Sequence, residues 1–170
     1  MRAQDAFDAL AGETVWPFLR ERGFKRTKAT FHRAVDDNWE VVNLQKSFFS
    51  DAGKVQFTIN LAVGVAALRD NLRSWPDGRR PAASACHFQE RIGILAWGLD
   101  TWWTVGPETD REPLGSTLID ALEQHGLPWL AEHSSEAALL ALTRDPGRMA
   151  REDVVNQHWG ERWLAARERR

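Results

Sequence analysis

The stretch Asn38–Val65 constrains this chain more than any other. It reads NWEVVNLQKSFF, then SDAGK, then VQFTINLAVGV. Two β-rich runs flank a turn built of Ser, Asp and Gly, the pattern of a hairpin. The second arm alternates without a break: Val55, Phe57, Ile59, Leu61 and Val63 point one way, Gln56, Thr58 and Asn60 the other. In the first arm Val42, Leu44 and Phe48 share a face with Glu40 and Lys46 between them, and Trp39, Val41, Asn43, Gln45 and Ser47 share the opposite one. The side-chain period of a strand is two, so such a hairpin presents one apolar face that must be covered and one face rich in amides.

The flanking sequence supplies the cover. Over residues 3–22 Phe7, Leu10, Ala11, Val15, Phe18 and Leu19 fall at three- and four-residue spacings, which predicts a helix with one apolar stripe, stopped at Gly23 with Phe24 folding back on its last turn. A short strand is expected over Ala29–Val35, with a tight turn at Asp36-Asp37-Asn38. Residues 66–85 carry a short helical turn and then loop chemistry around Trp75-Pro76-Asp77-Gly78. A fourth strand is expected over His87–Leu95, with Phe88, Ile92 and Ile94 opposite His87, Gln89 and Arg91, and a fifth over Leu99–Val105. Short links between neighbouring strands favour an antiparallel meander. The remainder reads as helical: one segment starting near Pro113 and ending at Gly126, an apolar plug at Leu127–Leu130, a helix capped by Ser134 or Ser135, and a last helix from about Arg148 after the break at Asp145-Pro146-Gly147.

The expected fold is therefore α+β: an antiparallel sheet of about five strands, an N-terminal helix on its apolar face, and C-terminal helices around its other face or edge. Residues 1–144 read as one domain, and 145–170 as a helical extension that packs on it or on a partner. A chain of 170 residues is long enough to bury a sizeable core. The net charge of −2 argues against nucleic acid as a partner, and no apolar run is long enough for a membrane span or a signal peptide. A single cysteine, Cys86, precludes an internal disulfide, which fits a cytoplasmic protein. No His/Cys spacing suits a metal, no Gly-rich loop suits a phosphate, and no cofactor or catalytic residue is indicated.

In order along the chain, Gly-Phe-Lys-Arg (23–26), Phe31, Val-Asn-Leu-Gln-Lys-Ser (42–47), Phe-Thr-Ile-Asn-Leu (57–61), Arg-Ile-Gly (91–93), Trp-Trp (102–103) and Leu-Pro-Trp-Leu (127–130) resemble the bacterial DUF4304 family. The resemblance spans roughly residues 5–142. It implies a domain extent; it implies no substrate, cofactor or catalytic residue.

The chemically unusual feature is the polar face. Asn43, Gln45, Asn60, Gln89 and Arg91 all occupy its expected strand positions. Asn and Gln fit poorly in the middle of a sheet, whereas they offer donors and acceptors, and Arg offers a fork suited to carboxylate or phosphate. With Trp102 or Trp103 as a flat wall, these residues are candidates for binding a small polar or anionic ligand or a partner. Their alternative role is a closed structural network, or anchorage of the C-terminal helices. A second candidate is the stripe Val155, Trp159 and Trp163, rimmed by arginines, which either packs on its own domain or forms a homodimer or partner interface. The expectation is a non-catalytic binding or protein-interaction module, with a ligand pocket or enzyme built on the amide face, or an immunity-type protein that neutralises a toxin, as the alternatives.

Overall fold

The computed structural model describes residues 2–69, 75, 79–156 and 158–169; within it the side chains of 153–156 are not described. The first helix is continuous but changes pitch. It is α-helical over Ala3–Ala9 (α1), π-helical over Leu10–Val15, and α-helical again over Trp16–Glu21 (α2). The wider π turn precedes Pro17, which has no N–H to donate. The helix ends as its sequence requires: Gly23 takes φ +84°, its N–H reaches Arg20 O at 3.0 Å, and the Phe24 N–H reaches Leu19 O at 3.1 Å.

Six antiparallel strands follow among the described residues: β1 (Lys25–Thr27), β2 (Thr30–Val35), β3 (Asn38–Lys46), β4 (Val55–Gly64), β5 (Phe88–Arg91) and β6 (Trp103–Val105). Their order is β1-β2-β3-β4-β5, with β6 pairing β4 beyond the end of β5. The central hairpin is in the register its pattern demands, with Asn43 opposite Asn60 and Leu44 opposite Ile59. The first arm stops at Lys46, however. Phe48 does not extend its apolar face; it lies in the connecting turn, 98% exposed.

Two further expectations change. The fourth strand is only Phe88–Arg91, and Ile92–Trp97 is a helical turn (α3), not the continuation of a strand. The alternating Phe88, Ile92 and Ile94 mimic a strand, but Ile92 is buried while Ile94 is exposed. Gly93 permits this turn to close. A Cβ there would lie 2.6 Å from Leu99 O and from Thr101 N, both backbone atoms. Consequently the fifth strand shortens to Trp103–Val105.

The second change concerns the C-terminal helices. After α4 (Arg111–Ala121) the chain does not stop at Gly126. It passes through a π-helical turn, Leu122–Gly126, directly into α5 (Leu127–Ser134), again just before a proline. Gly126 serves close packing: a Cβ there would meet Ile92 Cδ1 at 2.9 Å and Leu61 Cδ2 at 3.4 Å. Next come α6 (Glu136–Thr143), α7 (Pro146–Asn156) and α8 (Trp159–Glu168). Leu118, Leu122, Leu130, Leu139 and Trp159 join Phe7, Leu10 and Leu19 in one buried cluster with Phe57, Ile59, Leu61 and Val63. N-terminal and C-terminal helices therefore share the apolar face, and among the described residues no α-helix of the C-terminal part covers the other face, the first of the two placements, face or edge, that the sequence left open.

Glu40 ties these layers together. It lies on the apolar face and is 1% exposed, yet its carboxylate accepts from Arg33 Nε at 2.6 Å and from Ser134 Oγ at 2.7 Å. Arg33 is its direct cross-strand neighbour. Beside it, Asn38 Nδ2 donates to Ser134 O at 2.7 Å, and Asn38 Oδ1 accepts from Ala66 N at 3.0 Å. The end of α5 is thus anchored on β3 by a satisfied polar cluster.

Candidate functional site

On the opposite face, strand register sets four side chains in one line across the sheet: Thr30 on β2, Asn43 on β3, Asn60 on β4 and Arg91 on β5. Neighbouring members are one strand spacing apart, about 4.8 Å. Asn43 Nδ2 donates to Thr30 Oγ1 at 2.8 Å, and Asn60 Nδ2 donates to Gln45 Oε1 at 2.7 Å and to Asn43 Oδ1 at 3.4 Å. The next row, His32, Val41, Ala62 and Gln89, is apolar at its centre. There Val41 and Ala62 pack under Cys86 and Ala83 of the incoming 79–87 segment. That segment covers one half of the face and leaves the amide row beside it open.

The opening is a cleft of about 730 Å³. Its floor is the amide row with Gln45 and Gln89; Ala82, Ala83 and Ser84 form one wall, and Ile94 with Asp100 the other. Asn43, Asn60 and Arg91 are half-buried, Gln45 and Gln89 exposed. All five polar residues singled out from the sequence line this one cleft. Their network is partial. Asn60 Oδ1, Gln89 Oε1, Gln45 Nε2 and the Nε and Nη2 of Arg91 have no hydrogen-bond partner among the described residues, while Gln89 Nε2 donates to Cys86 O at 2.9 Å.

The two tryptophans part company. Trp102 lies at the cleft: the Arg91 guanidinium stands 5.1 Å from its ring centroid, and its Nε1 donates to Asp100 at 3.3 Å. Trp103 turns to the core, with its ring 5.8 Å from Phe57 and 6.0 Å from Trp97. Asp100 accepts from Arg91 Nη1 as well, and the Arg91 hydrogen bond, followed by that from Trp102, holds its carboxyl below the usual carboxylate range. Sequence reasoning missed Thr30, Ile94 and the 82–84 wall. The wall carries no polar pattern, and Ile94 was assigned to a strand.

The second candidate stripe is placed differently. Trp159 is fully buried and Trp163 is 4% exposed, both inside the chain's own core, with the Trp159 ring 5.0 Å from Phe88. Val155 lies outside the residues whose side chains are described. Exposed apolar side chains occur elsewhere, at Phe48 and Phe49 in the hairpin turn and at Ile94, Trp97 and Leu99 around α3.

The remaining chemistry-bearing groups have structural partners. Arg22 donates to Glu123 at 2.8 Å and stacks on Phe18, Arg33 pairs with Glu40, and Arg26 Nε donates to Lys28 O at 2.6 Å. Burial pushes the Cys86 thiol up to about 12, so it is not a thiolate near neutral pH. Burial also lowers the pKa of His32 and His87. His87 Nδ1 accepts from Val65 N at 3.0 Å and its Nε2 donates to Leu68 O at 3.0 Å, which fixes a neutral tautomer. Among the described residues no group of three or more His, Cys, Asp or Glu side chains is arranged to hold a metal ion, and no helix is long and apolar enough to cross a membrane.

Fold and site together define an α+β protein whose described α-helices pack largely on one side of the sheet and whose other side, half covered by the 79–87 segment, carries an open polar cleft. The family model described as a domain of unknown function, DUF4304, matches residues 15–132, and the chain belongs to that family. The match contains every residue on the cleft floor and leaves α1 and α6–α8 outside. No curated protein and no solved structure matches the chain.

Proposed function

We propose that this protein is a non-catalytic binding module of the bacterial cytoplasm that takes a small polar ligand in the cleft over Asn43, Asn60 and Arg91. One observation carries the reading: five hydrogen-bonding side chains from three strands line a single 730 Å³ opening, and several of their donors and acceptors have no partner among the described residues. That volume is in the range of small-molecule sites. A purely structural network would satisfy its own members, since an unpaired buried amide costs about 1–3 kcal/mol. Here the unpaired atoms sit on half-buried Asn60 and Arg91 and on exposed Gln45 and Gln89, so water can serve them until a ligand takes its place. The buried Cys86 thiol and the His87 imidazole tied to backbone on both sides support binding over catalysis.

A thermal-unfolding screen of polar metabolites against the wild type and Asn60→Leu tests this. A ligand at about 100 times its Kd adds about 2.7 kcal/mol. For a chain of this size that is a rise of roughly 5–10 °C in Tm. The rise is expected in the wild type and not in the variant; compounds that raise both equally bind elsewhere and refute the site.

A second reading has its own support. Ile94 in the cleft wall, and Trp97 and Leu99 at and just after the end of α3, expose apolar surface, which favours a protein partner docking on α3. A toxin neutralised by this protein would be one such partner, and co-purification with and without Trp97→Ser and Leu99→Ser tests it.

A further inference from the structure

Resting on the cleft as the binding site, we infer that its ligand carries an N–H donor beside a carboxylate: the α-amino carboxylate unit of a free amino acid or of a peptide C terminus. The unused atoms on the floor have a polarity and an order. Both hydrogens of Asn60 Nδ2 are committed to Gln45 and Asn43, so Asn60 Oδ1 remains as an acceptor. Its direct neighbour across the strand pair is Arg91. Asp100 takes Nη1 of that arginine and leaves Nε and Nη2, the edge that grips a carboxylate with two parallel hydrogen bonds. The Trp102 ring, with its centroid 5.1 Å from the guanidinium, limits how that planar fork can turn. Asn60 and Arg91 are directly opposed in register, so an acceptor and a bidentate anion site lie side by side on the floor, and a ligand that uses both carries an N–H and a carboxylate close together, as on one α-carbon.

The surrounding charge selects further. Among the described residues that line the cleft Arg91 is the one cation, and Asp100 already neutralises part of its charge, so a bare anion gains little net attraction. A ligand with an ammonium or amide N–H answers both signs, and Gln89 Oε1 is a further acceptor without a protein donor among the described residues. Ile94, Ala82 and Ala83 line the same space and provide an apolar wall for the ligand's side chain.

The test is a titration of the ¹⁵N-labelled full chain with leucine, N-acetyl-leucine, glycyl-leucine, leucinamide, acetate, glucose and uridine. Saturable shifts are expected at the backbone amides of residues 43–45, 60 and 89–91, and at Arg91 Nε–H, with at least one of the three N–H carboxylates. Leucinamide on the wild type, and the best ligand on Arg91→Gln, are expected to bind about 10- to 100-fold more weakly, the loss of a charge-assisted pair. Arg91 is partly exposed, and unchanged spectra away from the cleft show that the variant folds. Leucine as the strongest ligand identifies a free amino acid; N-acetyl-leucine or glycyl-leucine identifies a peptide C terminus. Acetate or leucinamide binding as well as leucine overturns the inference, as does silence from all three N–H carboxylates at millimolar concentration. Shifts at the same amides from glucose or uridine alone overturn it while leaving the cleft as a binding site; no shifts from any compound, together with a native mass spectrum of bare protein, removes both.

Discussion

Replacing Arg33 with Met removes the cation from a carboxylate that has almost no access to water. Glu40 is 1% exposed, and its two oxygens have two protein donors, Arg33 Nε and Ser134 Oγ. Breaking a buried pair from one side typically costs about 3–5 kcal/mol, because the other charge stays buried. The Arg33 side chain is 27% exposed, so water reaches the gap and the lower end applies. About 3 kcal/mol corresponds to a Tm lower by roughly 6–12 °C for a chain of this size. The double variant Arg33→Met/Glu40→Leu removes both charges and fills the space with apolar atoms, a replacement that is often neutral. The orphaned Ser134 hydroxyl then costs about 1 kcal/mol. Urea unfolding of wild type, both single variants and the double variant gives the coupling directly. The reasoning predicts a double variant more stable than Arg33→Met alone. Strictly additive effects, or a loss under about 0.5 kcal/mol for Arg33→Met, would refute it.

Gly93→Ala forces a Cβ against Leu99 O and Thr101 N, and overpacking of about 1–3 kcal/mol, offset by up to about 1 kcal/mol of helix propensity, leaves a net loss of stability in urea unfolding; a stabilised variant would show that the loop yields freely. Phe48→Ser and Phe49→Ser, at positions 98% and 78% exposed, are expected to change stability by less than about 0.5 kcal/mol each, a result that a thermal melt checks. The Cys86 thiol, pushed up to about 12, should resist a thiol reagent at pH 8 in the folded protein and react promptly in urea. Because His32 and His87 have pKa values lowered by burial, they remain neutral in the fold while the unfolded chain takes up protons. Their contribution to stability is complete above about pH 6.5 and is lost as pH falls through the folded values. Imidazole ¹⁵N spectra at pH 6 should show His87 protonated at Nε2 only; a doubly protonated ring contradicts the assignment.

The central hairpin was readable because its two-residue alternation is long and one face is wholly apolar. Register then follows, and with it the alignment of Asn43, Asn60 and Arg91. Local pattern failed where tertiary contact decided. Ile92-Gly93-Ile94 reads as strand by alternation, but a close approach of the 99–101 backbone at Gly93 selects a helical turn. Gly126 reads as a helix stop, yet its missing side chain makes room for Ile92 and Leu61 while the helix runs on. Lys25–Thr27 carries no apolar alternation and becomes an edge strand only by pairing with β2. The amide residues themselves were legible as misplaced polar groups in a sheet. The cleft over them was not, because it depends on the long helices choosing the other face and on the 79–87 segment covering only half of this one.

The account rests on that open face holding a ligand, and native mass spectrometry of the purified full chain tests it most directly. The wild type is expected to retain a small-molecule adduct under gentle ionisation, or to acquire one from a metabolite extract, while Arg91→Gln and Asn60→Leu fly bare. An adduct carried equally by all three proteins, or a bare wild type after exposure to the extract, would contradict it.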